Sequence, residues 1–109
     1  MPKQRTARKR IVIVAELSVH PIGAGTSVSN YVRAAVRALS RIKGLRYQVT
    51  PMSTVLEAEK LETILAAVAA AHRAVRSMGA KRISSMLRVD ERLDKERTME
   101  EKARSVRTA

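Results

Sequence analysis

Cysteine is absent from this 109-residue chain, which excludes disulfides and thiolate chemistry. Phe and Trp are absent too, and only Tyr31 and Tyr47 represent the aromatic residues, so the core must be aliphatic. The longest apolar run, residues 64–71, falls far short of the roughly 20 residues that a membrane span requires. The apolar residues 11–15 are likewise too few for a signal peptide core and are cut off by Glu16. We therefore expect a cytoplasmic, soluble protein with no membrane partner.

Positive charge is abundant and is unevenly distributed along the chain. The net charge is +12, and five of the cations stand among the first ten residues. We interpret residues 1–10 as a disordered basic tail and residues 11–109 as a single domain. Such a tail attracts polyanions by counterion release, so weak, non-specific binding of nucleic acid is expected.

The periodicity of the apolar residues predicts four strands and two long helices. Alternation with period two predicts strands over 11–20, 45–50, 52–57 and 82–90, and helical spacing predicts helices over 28–43 and 59–78. Thr26, Ser27 and Ser29 all offer N-caps for the first helix, and Gly44 and Gly79 are placed to end the two helices. Thr98 and Glu101 form a capping box, which predicts a short C-terminal helix.

The resulting order, βαββαβα, is typical of the ferredoxin-like split β-α-β fold. This α+β fold has a four-stranded antiparallel sheet with both main helices on one face, plus here the short C-terminal helix. The first and third strands are expected to be central neighbours, and the other sheet face is expected to be open. The predicted core comprises Ile13, Leu17, Val36, Leu39, Ile64, Val68, Val75, Ile83, Leu87 and Val89.

The open sheet face carries most of the candidate chemistry. Its predicted residues are polar and varied: Glu16, Ser18, His20, Gln48, Thr50, Ser84, Met86 and Arg88. Such a face suits a small molecule, solvent or a second subunit. Glu16 and Glu57 could pair for acid–base work, although their spacing does not demand it.

Neither metal nor catalytic groups form a recognisable set. His20 and His72 are the only histidines; His72 is expected to pack or cap, whereas His20 stands in a better position for a ligand. We see no nucleophile–base pair, and therefore expect no enzyme, no metal and no cofactor. The loop with Gly23, Gly25, Thr26 and Ser27 precedes a helix and could bind an anion, or could simply form a tight turn.

Several segments together resemble one known family. They are residues 19–29 (VHPIGAGTSVS), 47–57 (YQVTPMSTVLE), 79–83 (GAKRI), 89–92 (VDER) and 98–102 (TMEEK). In these segments the chain resembles the thiamine-binding protein family, a group of small uncharacterised proteins, over about residues 12–107. The basic tail departs from the family pattern.

The resemblance implies a ferredoxin-like fold, assembly into a dimer or tetramer, and binding of thiamine or its hydroxymethylpyrimidine part without catalysis. We expect the ligand near Glu16, Ser18, His20, Gln48, Thr50, Ser53, Thr54 and Glu57. A phosphorylated ligand would suit the Gly23–Ser27 loop. Two alternatives remain open: a basic protein associated with nucleic acid, and a structural oligomer without a ligand.

Overall fold

The computed structural model describes residues 12–94 and 98–107, so the predicted tail lies outside the described residues. Its elements follow the predicted order. They are β1 (Ile13–Pro21), α1 (Ser29–Leu39), β2 (Arg46–Val49), β3 (Thr54–Ala58), α2 (Leu61–Ser77), β4 (Ile83–Glu91) and α3 (Met99–Arg107). The ferredoxin-like fold is therefore confirmed.

The four strands form one antiparallel sheet in the order β2-β3-β1-β4. β1 and β3 are central neighbours, as predicted, and pair from Ile13 opposite Ala58 to Leu17 opposite Thr54. β4 pairs with β1 over nine residues, from Ile13 opposite Glu91 to Pro21 opposite Ile83. The short β2 and the long β4 are the two edges of the sheet.

An aliphatic core lies between the sheet and the two main helices. Ile13, Leu17, Leu39, Ile64 and Val75 are buried as predicted, while Val68, Ile83 and Leu87 pack against this core from partly buried positions. The prediction for Val89 was wrong, since this side chain is 38% exposed. The reason is its place on an edge strand, whose residues are half-buried or exposed along the whole length.

Helix α1 is shorter than predicted and begins without a side-chain cap. Its N-cap residue is Val28, so none of the expected hydroxyl residues caps it. At its other end, the Ser40 hydroxyl donates to the Arg37 carbonyl at 2.6 Å. A serine hydroxyl bonded in this way competes with the helical ladder, which explains an end at Leu39. None of the helices in the described ranges is long and apolar enough to cross a membrane.

The C-terminal helix α3 covers part of the sheet face that the sequence predicted to be open. The capping box is confirmed: the Thr98 N–H donates to Glu101 Oε1 at 2.9 Å, and the Glu101 N–H donates to Thr98 Oγ1 at 3.1 Å. The first residue of the helix, Met99, is 8% exposed. Its N–H donates to the carboxylate of Glu57 on β3 at 3.2 Å. The helix thus begins on the face opposite to α1 and α2.

Candidate ligand-binding site

A cavity of about 280 Å³ lies just before the start of β3, beside the last residues of β1. β3 accompanies β1 only as far as Leu17, whereas β4 accompanies it to Pro21. Residues 18–21 therefore have a neighbouring strand on one side only. The hairpin turn of residues 50–53 and helix α1 surround the resulting gap.

The backbone of Val19 faces this gap. The N–H of Ile22 donates to the carbonyl of Arg82 at 2.8 Å, so the even-numbered residues of β1 direct their backbone groups towards β4. Successive residues of an antiparallel strand bond to alternate sides, so Val19 directs its N–H and C=O towards the space beyond Thr54, the first residue of β3. Val19 is 9% exposed and lines the cavity. Among the described residues, no strand pairs with these two groups.

Thr54 is a second residue of the cavity lining that carries a polar group, its hydroxyl. Thr54 lies opposite both Leu17 and Val49, whose side chains share its side of the sheet, and it is 7% exposed. Within residues 12–94 and 98–107, its hydroxyl forms no side-chain hydrogen bond. A buried polar group without a partner costs about 1–3 kcal/mol, which a ligand with a matching donor or acceptor would recover.

The remaining wall is mostly aliphatic. Helix α1 supplies the largest part of it, and the sheet and α2 supply the rest: Leu17, Val28, Val32, Ala35, Val36, Leu39, Val49 and Ala71. A small apolar cavity with a few convergent polar groups is the usual form of a binding site for a small molecule.

The turn of residues 50–53 is held by the hydroxyl of Thr50. This hydroxyl donates to the carbonyl of Ser53 at 2.8 Å and accepts the N–H of Ser53 at 3.1 Å. The Thr50 N–H also donates to the Ser53 carbonyl, at 2.8 Å. The contacts of Thr50 therefore shape one wall of the cavity.

Ser53 connects this turn to β1. Its hydroxyl donates to Oε2 of Glu16 at 2.8 Å. Because Glu16 lies opposite Val55 and Arg88, its carboxylate is on the sheet face away from α1 and α2. The Glu16 carboxylate thus anchors the turn from outside the cavity.

The structure brings together five of the eight predicted ligand-binding residues. Ser18, His20, Thr50, Ser53 and Thr54 line the cavity. Glu16 adjoins it through Ser53, whereas Gln48 and Glu57 do not line it. Whether any of these residues binds a ligand stays a prediction.

Glu57 has other partners because β3 carries it away from the cavity, to a position opposite Val14. It is 5% exposed, and besides the N–H of Met99 it accepts a hydrogen bond from Arg46 at 3.0 Å. Arg46 also contacts Glu100 at 2.6 Å. With its oxygens so engaged, Glu57 attaches α3 to the sheet, and no acid–base pair with Glu16 is formed.

Two ion pairs hold α3 and shift the pKa values of their members. The carboxylates of Glu57 and then Glu100 raise the pKa of Arg46. On the edge strand β4, the hydrogen bond from Lys102 lowers the pKa of Asp90. The charged forms of these groups are therefore favoured where α3 docks.

The glycine loop leads from β1 into α1. Gly23 and Gly25 have φ angles of +87° and +91°, a region that glycine adopts without strain. Beside the loop, a shallow groove is lined by hydroxyl residues and an arginine: Thr26, Ser27, Ser29 and Arg33. The groove shares walls with the cavity through Val28, Val32, Val36 and Val49. Anion binding by the predicted loop residues stays a prediction.

The two histidines lie apart. His72 on α2 contacts the hydroxyl of Ser85 on β4 at 2.7 Å, which ties the helix to the edge strand. His20 lines the cavity and is exposed. In the part of the chain that the structure describes, no three metal-ligating side chains gather.

Sequence reasoning missed Val19, because alternation assigns it to the core by its side chain and says nothing of its backbone. A signal was present in the lengths of the strands. Pro51 interrupts the alternation just before the third strand, which leaves that strand too short to pair with the whole length of the first strand.

The fold and the cavity define a small α+β protein of ferredoxin-like architecture with a ligand-sized space at a strand end. The family model described as "Thiamine-binding protein" matches residues 15–107. The chain belongs to this family.

Its relatives include proteins of archaea and bacteria. A UPF0045 protein of Methanothermobacter thermautotrophicus is 44% identical over 97 residues, which cover 88% of this chain and 97% of that protein. A crystal structure of a hypothetical protein from Methanocaldococcus jannaschii, 39% identical, has a TM-score of 0.81 over 90% of this chain and 98% of that one. A candidate thiamine biosynthesis/salvage protein of Thermotoga maritima, 25% identical, has a TM-score of 0.73 over 87% of this chain and 98% of that one.

Proposed function

We propose that this protein binds the aminopyrimidine ring of thiamine or of a related hydroxymethylpyrimidine in the cavity beside Val19, without catalysis. Membership of the thiamine-binding protein family supports the class of ligand. The choice of site rests on one observation: two residues of the same cavity have polar groups without a partner in the described chain. They are Val19, with its backbone N–H and C=O, and Thr54, with its hydroxyl.

The chemistry of an aminopyrimidine matches these groups. Its ring nitrogen is an acceptor and stands next to an exocyclic amino group, which is a donor. The N–H and C=O of one strand residue offer a donor and an acceptor on the same side. The Thr54 hydroxyl can donate or accept, so it suits a further ring nitrogen. The flat faces of the ring would lie against the aliphatic walls.

The size of the cavity favours one ring over two. Its volume of about 280 Å³ lies just below the roughly 300–1,000 Å³ typical of small-molecule sites. A single pyrimidine would be largely enclosed. The thiazolium of whole thiamine would then extend from the mouth of the cavity.

We propose binding rather than catalysis because of the kinds of group that face the ring. They are a backbone amide, a carbonyl and a hydroxyl, which recognise a ligand but do not transfer protons at neutral pH. The imidazole of His20 also lines the cavity, but in the described chain no carboxylate bonds to it and orients it as in a catalytic pair. The carboxylates of Glu16 and Glu57 are engaged in the turn and in α3, respectively.

We further propose that the protein works in the cytoplasm as a homo-oligomer, a dimer or a tetramer. The edge strand β4 is nine residues long and lies in the described chain without a second neighbour. Long edges of this kind pair with other chains unless they are protected. Light scattering at micromolar concentration should give a multiple of the 12.1 kDa chain mass, and a monomer mass would contradict the proposal.

Calorimetric titration with hydroxymethylpyrimidine tests the function. The parent should bind the pyrimidine, and Thr54→Val should weaken binding about tenfold, since it removes one hydrogen bond and keeps the shape. Thr63→Val is the matched control, because Thr63 lies in the first turn of α2, away from the cavity. Absence of binding by the parent, or equal binding by both variants, would refute the site.

A further inference from the structure

The cavity beside Val19 reaches both faces of the sheet. Leu17 and Val19 direct their side chains towards the two main helices. Ser18 and His20 alternate with them and therefore belong to the opposite face, here called the outer face. All four residues line the cavity, since β3 begins only at Thr54 and leaves the sheet open beyond Leu17. A ligand enclosed on the helix side therefore has an opening onto the outer face.

The outer face is accessible around this opening. Helix α3 begins against Glu57, near the other end of β3, and leaves the end with the cavity uncovered. Glu16 is exposed and Ser18 is half-buried. Met86 lies opposite Ser18 on β4, and its side chain is 71% exposed on the same face. A ring that emerges from the cavity therefore meets an apolar thioether side chain beside a row of polar ones, a contact that aromatic rings favour.

The carboxylate of Glu16 is held beside the opening. The Ser53 hydroxyl donates to its Oε2 at 2.8 Å, and Ser53 itself lines the cavity. Since Thr54 lies opposite Leu17, the preceding Ser53 is level with Ser18, so this bond draws the carboxylate along β1 towards the cavity. A carboxylate has about four acceptor positions on its two oxygens, and the hydroxyl occupies one of them. Negative charge therefore remains at the opening for a cation.

Glu16 has no competitor for such a cation at this end of the molecule. The other carboxylate that the sequence placed near the ligand, Glu57, is 5% exposed and is bonded to Arg46. Glu16 is the one carboxylate within the segments that form the end with the cavity, residues 16–36, 47–56 and 68–88. Arg88 lies opposite Glu16 on β4, yet in the described chain the two form no ion pair. A cationic group that emerges onto the outer face therefore finds its counter-charge in Glu16.

We infer that thiamine binds with its pyrimidine in the cavity and its cationic thiazolium on the outer face, against Glu16. This inference rests on the proposed function and names the residue that selects the charged ring of thiamine over an uncharged one. Glu16 lies three residues before Val19, about 10 Å along the strand. The two rings of thiamine, the methylene that joins them and the side chain of Glu16 together span this distance.

Calorimetric titrations of the full chain at low salt test the inference with three probes: thiamine, an uncharged analogue in which thiophene replaces the thiazolium, and hydroxymethylpyrimidine. The parent should bind thiamine about fivefold more tightly than the analogue, as an exposed ion pair allows, and added salt should shrink this advantage. Glu16→Gln, which keeps an acceptor for the Ser53 hydroxyl, should abolish it. Any loosening of the turn would weaken both ligands alike, so the ratio of their affinities isolates the charge.

The matched control is Glu62→Gln, which removes the same charge in the first turn of α2, away from the cavity, and should leave the ratio unchanged. The outcomes separate the inference from the proposed function. If hydroxymethylpyrimidine binds but thiamine does not, or thiamine and the analogue bind the parent equally, the inference is wrong and the pyrimidine site stands. An advantage of thiamine that survives in Glu16→Gln would also overturn it. If none of the three probes binds, both the inference and the proposed function fail.

Discussion

Leu17 and Thr54 form the last residue pair between β1 and β3. From Ser18 onwards, β1 continues with only β4 beside it. At the end of this ladder, Val19 and Thr54 both line the same cavity. The candidate site thus arises from unequal strand lengths in the centre of the sheet.

Thr54→Val should leave the unliganded protein as stable as the parent, or stabilise it slightly. The hydroxyl is buried without a side-chain partner in the described chain, and an apolar group of the same shape removes a penalty of about 1–3 kcal/mol. Thermal unfolding measures this. A large loss of stability would show that the hydroxyl has a structural partner and is not kept for a ligand.

Thr50→Val should destabilise the protein by about 1–2 kcal/mol and weaken binding as a consequence. It removes the hydroxyl that joins both backbone groups of Ser53 across the turn. Denaturant unfolding gives the change in free energy. Thr50→Ser, which keeps the hydroxyl, should retain most of the stability that Thr50→Val loses; a loss in Thr50→Ser as large as that in Thr50→Val would show that the hydroxyl alone does not account for the stability of the turn.

Docking of α3 should depend on pH only in the acid range. The pKa of Asp90 is lowered by the hydrogen bond from Lys102, and that of Glu100 by its own backbone N–H and by Arg46. Because both pKa values are lowered in the folded state, these carboxylates stabilise the docked helix fully at a pH above their ordinary pKa values of 3.8 and 4.5. The stabilisation is lost as the pH falls through the lowered pKa values of the folded state.

Hydrogen exchange of the Met99 amide reports this docking, since that amide bonds to Glu57. Its protection should be constant from about pH 7 to pH 5, after correction for intrinsic exchange, and should fall below about pH 4. In Asp90→Asn with Glu100→Gln the fall should be reduced. Protection that instead fell between about pH 7 and pH 5 would contradict the assignment to these carboxylates.

Deletion of residues 1–10 should remove most binding of nucleic acid and leave the fold intact. Five cations stand in that segment, and non-specific binding follows the number of phosphates neutralised. Fluorescence anisotropy with single-stranded DNA at two salt concentrations measures the effect. Full affinity in the truncated chain would assign the binding to the arginines of the folded domain and favour the nucleic-acid alternative.

Much of the fold could be predicted because the periodicity of the strands and helices is regular. The capping box at Thr98 could be predicted from two residue types three positions apart, and the structure shows both of its hydrogen bonds. The end of α1 could not be predicted from the sequence, because the competing hydrogen bond from the Ser40 hydroxyl depends on local geometry. The exposure of Val89 depends on the strand order, which alternation alone does not give.

The candidate site was predicted only in part, for a related reason. Side-chain patterns grouped Ser18, His20 and Thr54, which the structure also brings together. The same patterns also grouped Glu57 with these residues. They could not indicate its buried contacts with α3, because those contacts involve residues far away in sequence. They omitted Val19, whose relevant atoms belong to the backbone and depend on where the neighbouring strand stops.

The most direct test of the central claim is an NMR titration of the isotope-labelled full chain with hydroxymethylpyrimidine, which follows the backbone amides of β1. The amide of Val19 should shift and exchange more slowly, because it acquires a hydrogen-bond partner. The amides of Ser18 and His20, already directed towards β4, serve as internal controls and should change little. Saturable binding that leaves the Val19 amide unchanged, or no binding at all, would contradict the account.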